Sequence, residues 1–576
     1  MITARTRLNS SVVLLLCVQF TMLALIAWRT GPGWDEWAHL PSGLYTLQYG
    51  DFHPYRVNPP LARLIAAVPV ALVGGGIDEI PISHATGHRS EWSLMVAYVH
   101  QEGVDIFKWM SVARMALIPI AMFGTWLMWR IGFHFGGSVA GLIAATLWVF
   151  SPTILTFGAT IAPDVSAAVF GLWVSWCFYG WLHTRNAAAS IWLSISFSAA
   201  MLSKSTWIIL PPIFLCLFLA HCWTGTLRFP VRDYLRRLGL VAVVSFVLIH
   251  AGYDFKGMLK PIGEFDFISH TLSGNDNDPE NGTPVVGNRF RDSFVHWLPA
   301  PLPAEYIRGI DVQKRDFEMK FRSYLMGDWA NEGWWYYYAV AWLVKEPLSL
   351  WLLILLGWSV LLSKERVCTR STTRRRGMWT VITPGIVVFC FVSSQTGFNH
   401  HLRYVLPAFP VVFLVAAYPF RHLPKQFQWA SLGLLFWFAV ASVWMLPRSY
   451  AFFSIGVGGS KSGHRFLNSS NLDWGQDLPT ISNWIEKNTD KRPVYLLHPV
   501  PQLDYRRLGL DARDGHGLIG ENGSLASGWW VISTEQCLRE PADWFLKQTP
   551  TERISVSTTV YHVIDGVIVS GDALEK

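Results

Sequence analysis

Charged side chains are too scarce to wrap this chain in water: they make up 15% of its 576 residues, against about 25% in soluble globular domains. That shortage excludes a fully solvated fold and leaves lipid facing much of the chain. Cysteine is also sparse, with seven residues scattered mostly through apolar runs. No CxxC pair or Cys/His cluster occurs, which argues against a disulfide framework or a structural zinc site. No Walker or GxSxG motif occurs, and the one GxGxxG spacing, Gly515 to Gly520, does not stand out, which weighs against soluble nucleotide or acyl chemistry. It also shows no internal repeat or long low-complexity segment.

Apolar sequence is abundant, at 51% hydrophobic residues with 30 Trp. A membrane span takes about 17–25 apolar residues. Eleven stretches qualify, near 10–28, 109–129, 137–157, 165–183, 187–203, 205–222, 236–251, 345–362, 378–394, 403–420 and 427–446. The first could be a cleaved secretory signal or a retained span. Its apolar run from Val12 to Trp28 is long and lacks a small-x-small cleavage site, which favours the span. With the N-terminus inside, the inner segments carry fourteen Lys and Arg, including Arg5, Arg7, Lys364, Arg366, Arg370, Arg374, Arg375, Arg421 and Lys425. Their only acids are Asp233 and Glu365. Outer loops 29–108 and 252–344 carry more acids than bases. This is the positive-inside pattern, so the net charge of +7 reads as topology and not as nucleic-acid affinity. The apolar stretch Pro59–Val73 is short, opens with two prolines and contains Arg63. If it spanned, every later loop would change sides, so it is expected to lie along the interface.

The expected fold is therefore an α-helical polytopic membrane protein with about eleven transmembrane helices over 1–446 and a small extracytoplasmic α/β domain over 447–576. In that tail, strand-like runs at Val494–Leu497, Trp529–Ser533 and Val560–Val569 accompany a helical stretch near 478–488. The Asn-x-Ser/Thr sites at Asn281, Asn468 and Asn522 are frequent by chance and carry little weight.

Several residues could carry chemistry. Trp34-Asp35-Glu36-Trp37-Ala38-His39 sets two carboxylates between tryptophans at the depth of an aromatic belt. Partial desolvation there raises a carboxylate's pKa and suits it to take a proton from an attacking hydroxyl. The plain alternative is a solvated acidic pair at a span end. Asp164 lies in an almost charge-free outer turn. It either caps the following helix or joins Asp35 and Glu36 as ligands for a divalent ion such as Mg, Mn or Zn. Lys204, Lys345 and Arg403 fall at outer span ends, and Arg114 lies about a turn inside the second span. Each could simply snorkel. Converging at the outer leaflet, they would suit a lipid phosphate. Adjacent His400 and His401 diverge on a helix, so one is expected as a phosphate hydrogen-bond donor and not both as metal ligands.

Taken in order, these features resemble the C-type (GT-C) glycosyltransferases. They are the Asp-Glu pair, Asn58-Pro59-Pro60, Arg114, the lone Asp164, Leu202-Ser203-Lys204, Leu343-Val344-Lys345-Glu346-Pro347 and the run His401-Leu402-Arg403-Tyr404-Val405-Leu406-Pro407. The closest group holds the protein O-mannosyltransferases and the lipid A aminoarabinose transferases, and the resemblance covers about residues 10–420. It implies an inverting transfer from a polyprenyl-phosphate-linked monosaccharide to a lipid, glycan or protein acceptor. It implies Asp35 as base or acceptor-orienting carboxylate with Glu36 beside it, and Asp164 at the acceptor or a metal. Lys204, Lys345 and Arg403 would hold the donor phosphate, with His401 and Arg114 as further candidates. Residues Asn471-Leu472-Asp473-Trp474-Gly475-Gln476-Asp477 do not match the β-trefoil of the mannosyltransferases, which puts a protein acceptor in doubt. The expected location is a bacterial plasma membrane with the site facing out. The rival class is a transporter or lipid-linked-sugar flippase. Such carriers place their sites near the midplane in broken, repeated helices, whereas here the acids sit in outer loops.

Overall fold

A computed structural model describes residues 10–275, 285–363, 372–422, 425–500, 503–519 and 525–569. Arg5, Arg7, Asn281, Lys364, Glu365, Arg366, Arg370 and Asn522 lie outside the described residues, as do the side chains of Arg374, Arg375, Arg421 and Lys425.

All eleven apolar stretches are largely helical. Among the described residues, seven helical segments are long and apolar enough to cross a bilayer, beginning with Ser10–Arg29 and ending with Leu402–Phe420. Two more spans form only as bent pairs: Ser138–Phe150 with Pro152–Gly158, bent by 60°, and Tyr337–Lys345 with Leu348–Ser359, bent by 101°. Both bends sit at proline, which lacks the N–H and crowds the preceding turn. The bends meet, because Ser151 and Thr153 donate their hydroxyls to the Glu346 carboxylate at 2.7 and 2.8 Å. The remaining two stretches, Ala187–Ser203 and Phe427–Val443, are shorter apolar helices.

The Pro59–Val73 stretch becomes the helix Leu61–Leu72, whose 12 residues reach only about 18 Å, too short to span. Arg63 is buried on it and donates to the carbonyls of Asn58 and Tyr55 at 2.6 and 2.8 Å. Helices Glu36–Tyr49 and Ile106–Met115 pack beside it, and Ser90–Glu102 packs against Glu36–Tyr49.

Past the last apolar helix, Tyr450, Phe453, Leu467, Leu472 and Trp474 pack into the helical core. The amphipathic helix Leu478–Lys487 then buries Leu478, Ile481, Trp484 and Ile485 at helical spacing. This apolar face packs among residues of helices Glu36–Tyr49, Leu61–Leu72 and Ser90–Glu102. A six-stranded sheet closes the chain. Val494–Leu497 pairs parallel with Arg513–Asp514 on one side and Gly528–Ser533 on the other. Gly528–Ser533 pairs antiparallel with Thr558–Ile564, which also takes Glu552–Arg553 and Val567–Val569. The expected strands at Val494–Leu497 and Trp529–Ser533 and the expected helix are therefore present, whereas the Val560–Val569 run is broken at Asp565-Gly566, both in the left-handed region, into two antiparallel strands.

Candidate active site

Four of the proposed residues form one alternating chain of charge. The Arg403 guanidinium donates to Asp35 at 2.8 Å and lies 3.7 Å from Asp164. The Lys204 ammonium donates to Asp164 at 2.6 Å. Separate elements bring them together. Asp35 ends the loop after the first span, Asp164 lies in the first turn of Pro163–His183, Lys204 follows Ala187–Ser203, and Arg403 opens Leu402–Phe420. Asp164 does not cap its helix: Ala162 is the N-cap, with no side-chain bond. The carboxylate still benefits from the positive helix end, and it turns to the two cations. Arg403, Asp164 and Lys204 are buried, whereas the Asp35 side chain keeps 24% exposure.

The two ends of this chain open on different spaces. Asp35 lines a polar cleft of about 380 Å³ that also includes Trp34, His400, His401, Asp473, His516, Glu535 and Arg539. Lys204 and Tyr404 line a smaller, mainly apolar crevice of about 170 Å³, with Lys314 and Gln313 beside Ile208, Ile310 and Phe391. Arg403 and Asp164 border neither space and lie between them. Within the crevice, the Lys204 ammonium sits 5.1 Å from the Tyr404 ring centroid.

Residues 468–477 clamp this arrangement. The Asn471 side chain accepts from the Leu402 amide at 2.9 Å and donates to the Tyr337 hydroxyl at 2.9 Å and the His400 carbonyl at 2.8 Å. Trp474 lies flat against the site, with the Arg403 guanidinium 4.2 Å from its ring centroid, a contact strengthened by burial. Its carbonyl accepts from the Trp34 amide at 2.9 Å. Glycine is required at position 33, since a Cβ there would fall 2.4 Å from the Trp474 ring. Sequence reasoning singled out the Asn471–Asp477 run without giving it a role, named Tyr404 only as part of the His401–Pro407 run, and missed Lys314. The density of Asn, Asp, Trp and Gly in seven residues was the available signal for the first.

The other candidates lie elsewhere, and several expectations are corrected. Glu36 does not stand beside Asp35 in the cleft. Its fully buried carboxylate accepts from Arg114 Nε at 2.8 Å and Nη2 at 2.5 Å, and from the amides of Gly33 and Ile161 at 2.7 Å each. Successive residues on a helix project about 100° apart, so two adjacent carboxylates took different partners. Arg114 is correspondingly closed to a phosphate, since its remaining donors go to the Thr30 and Gly31 carbonyls at 2.9 Å. Lys345 is also enclosed: its ammonium donates to the carbonyls of Tyr450 and Asn471 at 2.7 and 2.6 Å. His401 borders the cleft, not the Lys204 crevice, and bonds Ser470 Oγ at 2.7 Å. His400 also borders the cleft and hydrogen-bonds the Arg322 carbonyl at 2.6 Å.

As a metal set, Asp35, Glu36 and Asp164 do not fit. Arg403 sits between the two aspartates and Glu36 is saturated by Arg114 and two amides. Among the described residues no group of three or more His, Cys, Asp or Glu is placed to hold a metal ion. Electrostatics also differ from expectation at Asp35. Burial raises its pKa, but Arg403 beside it outweighs burial and holds the carboxyl below its ordinary value. Asp473 behaves oppositely. Burial and the nearby Asp477 carboxylate push its pKa up to about 8.

No family model matches the chain, and no curated protein does. The chain is similar to several solved structures, among them the following three. ArnT from Cupriavidus metallidurans in the apo state is 15% identical over 96% of both chains, with a TM-score of 0.43. The same protein bound to undecaprenyl phosphate is 14% identical over 96% of this chain and 97% of that one, with a TM-score of 0.44. The apo oligosaccharyltransferase of Archaeoglobus fulgidus is 11% identical over 92% of this chain and 69% of that one, with a TM-score of 0.45.

Proposed function

We propose that this chain is an integral-membrane inverting glycosyltransferase. It moves a monosaccharide from a polyprenyl-phosphate donor to a hydroxyl-bearing acceptor on the outer face of the membrane, in bacteria the plasma membrane. The observation that carries this reading is the ion chain Asp35–Arg403–Asp164–Lys204, with a polar cleft at its carboxylate end and an apolar crevice at its ammonium end.

The two spaces suit the two substrates. A lipid phosphate needs cations beside apolar surface, and the crevice offers Lys204 and Lys314 next to Ile208, Phe317 and Phe391. Ile208 also lines a larger apolar trough of about 740 Å³ bordered by Phe178, Phe214 and Ile249, with room for isoprenoid units. A sugar hydroxyl needs polar partners and water access, which the cleft supplies around His516, Glu535 and Arg539.

Chemistry follows from the order of charges. The acceptor oxygen approaches the anomeric carbon from the cleft. Its proton passes to Asp35 as the new C–O bond forms. The bond from the anomeric carbon to the phosphate oxygen breaks toward the crevice, and its electron pair stays on the phosphate. Negative charge grows there, where fixed cations act most strongly. Attack from one side and departure from the other inverts the anomeric centre. Arg403 keeps Asp35 ionised and aimed. A carboxylate of lowered pKa is a weaker base, so Asp35 is suited to accept the proton late, as the anomeric carbon becomes electrophilic. No step is assigned to a metal, since the carboxylates are each closed on cations or amides.

The test is incubation of the purified protein with a panel of polyprenyl-phosphate sugars and candidate acceptors, read by mass spectrometry. Release of free polyprenyl phosphate with a glycosylated product is expected. Solute uptake into sealed vesicles, with no lipid phosphate released from any donor, would overturn the reading in favour of a carrier.

A further inference from the structure

A fourth cavity, of about 370 Å³, lies at the outer end of the first span, with Arg29 and Arg448 on its walls. Arg29 is the last residue of helix Ser10–Arg29, and Arg448 follows the helix Phe427–Val443. Among the described residues neither guanidinium has an ion-pair or hydrogen-bond partner. One acid lines the cavity, Asp477, and it is already engaged. Its carboxylate is buried and accepts from Ser557 and Thr558 hydroxyls at 2.7 Å each, and from the Ser555 hydroxyl. Two free cations therefore face a space whose other polar walls are neutral.

The rim is apolar. Leu25 and Trp28 border the cavity and are exposed on the apolar first span, and Trp444 near Arg448 is 85% exposed. Tryptophan at a span end marks the headgroup level of a bilayer. Arginine at that level binds phosphate by paired donors, and basic residues there attract anionic lipids. We infer that this cavity binds the headgroup of an acidic membrane phospholipid, with its phosphate between Arg29 and Arg448 and its acyl chains along Leu25 and Trp28.

The position links the lipid to the ion chain. One short turn forms the wall between cavity and cleft: Asp473 and Trp474 face the cleft, whereas Gln476 and Asp477 face the cavity. Gln476 accepts from the Trp474 amide at 2.7 Å through its side chain and from the Gly31 amide at 2.8 Å through its carbonyl. A headgroup seated here braces the turn that carries Trp474 beneath Arg403.

Native mass spectrometry of the full-length protein in detergent, with added phosphatidylglycerol or phosphatidylcholine, tests this. The wild type should retain one phosphatidylglycerol in preference to phosphatidylcholine. The double variant Arg29→Gln/Arg448→Gln should retain it about tenfold less well, and Arg448→Lys, which keeps the charge, should retain most of it. Equal retention of the two lipids, unchanged retention by the double variant, or full displacement by millimolar inorganic phosphate would each overturn the inference. Retention is read without any transfer assay. An active enzyme with no lipid preference leaves the transferase reading intact, and lipid retention by an inactive protein leaves this one intact.

Discussion

Asp35 and Glu36 are neighbours in sequence with opposite duties, and neutralising each in turn separates them. Glu36→Gln strikes a closed network. The carboxylate takes two bonds from Arg114 and two from backbone amides, and both side chains of the pair are at most 1% exposed. Removing one partner of a buried ion pair costs about 3–5 kcal/mol, because the other charge stays buried without compensation. Against a folding stability of about 5–15 kcal/mol, that is a large share. Asp35→Asn strikes an open one. The side chain is 24% exposed, the amide oxygen can still accept from Arg403, and Arg403 keeps Asp164 at 3.7 Å. Its stability cost should be about 1 kcal/mol, while loss of the base should slow transfer by about a hundred- to ten-thousand-fold. Both variants would be purified in detergent beside the wild type, their unfolding followed by tryptophan fluorescence, and their product formation by mass spectrometry. Glu36→Gln should unfold at a clearly lower temperature or fail to accumulate, and Asp35→Asn should unfold like the wild type and be nearly inactive. Full turnover in Asp35→Asn, or an undisturbed Glu36→Gln, would refute the division of labour.

Lys314→Gln removes the second crevice cation from a partly exposed site where Glu318 is, among the described residues, its only ion-pair partner, at 3.8 Å. The KM for the polyprenyl donor should rise about tenfold with kcat nearly unchanged, and an unaltered donor KM would remove Lys314 from the phosphate site. Asn471→Ala strips the buried bonds to Leu402, Tyr337 and His400. Each orphaned group costs about 1–3 kcal/mol, so limited proteolysis should cut the chain near residues 447–470 faster than in the wild type, with transfer reduced. For Asp473, the folded pKa of about 8 stands above the ordinary carboxyl value of about 3.9. The folded state therefore holds a proton that the unfolded chain has released, so this contribution is full below about pH 4 and is lost as pH rises to about 8. Asp473→Asn should flatten the thermal-stability profile between pH 5 and 9, and parallel profiles for variant and wild type would contradict the assignment.

Much of the architecture was legible because it depends on one-dimensional patterns. Apolar length marks a span whatever its neighbours, so all eleven stretches came out helical. Even the two bends fall at the Pro152 and Pro347 of the sequence. Strand periodicity likewise located Val494–Leu497 and Gly528–Ser533. Asp35, Asp164, Lys204 and Arg403 could be nominated because charge at the end of an apolar run is costly wherever the chain goes.

Sequence alone thus determined that this protein is a many-span helical membrane protein with a sheet-bearing tail, and which charges lie at span ends. Tertiary structure alone decided which of those charges meet. Nothing in Trp34-Asp35-Glu36-Trp37 distinguishes a carboxylate aimed at a cleft from one sealed against Arg114, because 78 residues separate Glu36 from that arginine and 368 separate Asp35 from Arg403. The direction of the Asp35 pKa was hidden for the same reason. Burial of an isolated carboxylate raises it, and only the packing that sets Arg403 at 2.8 Å reverses the sign.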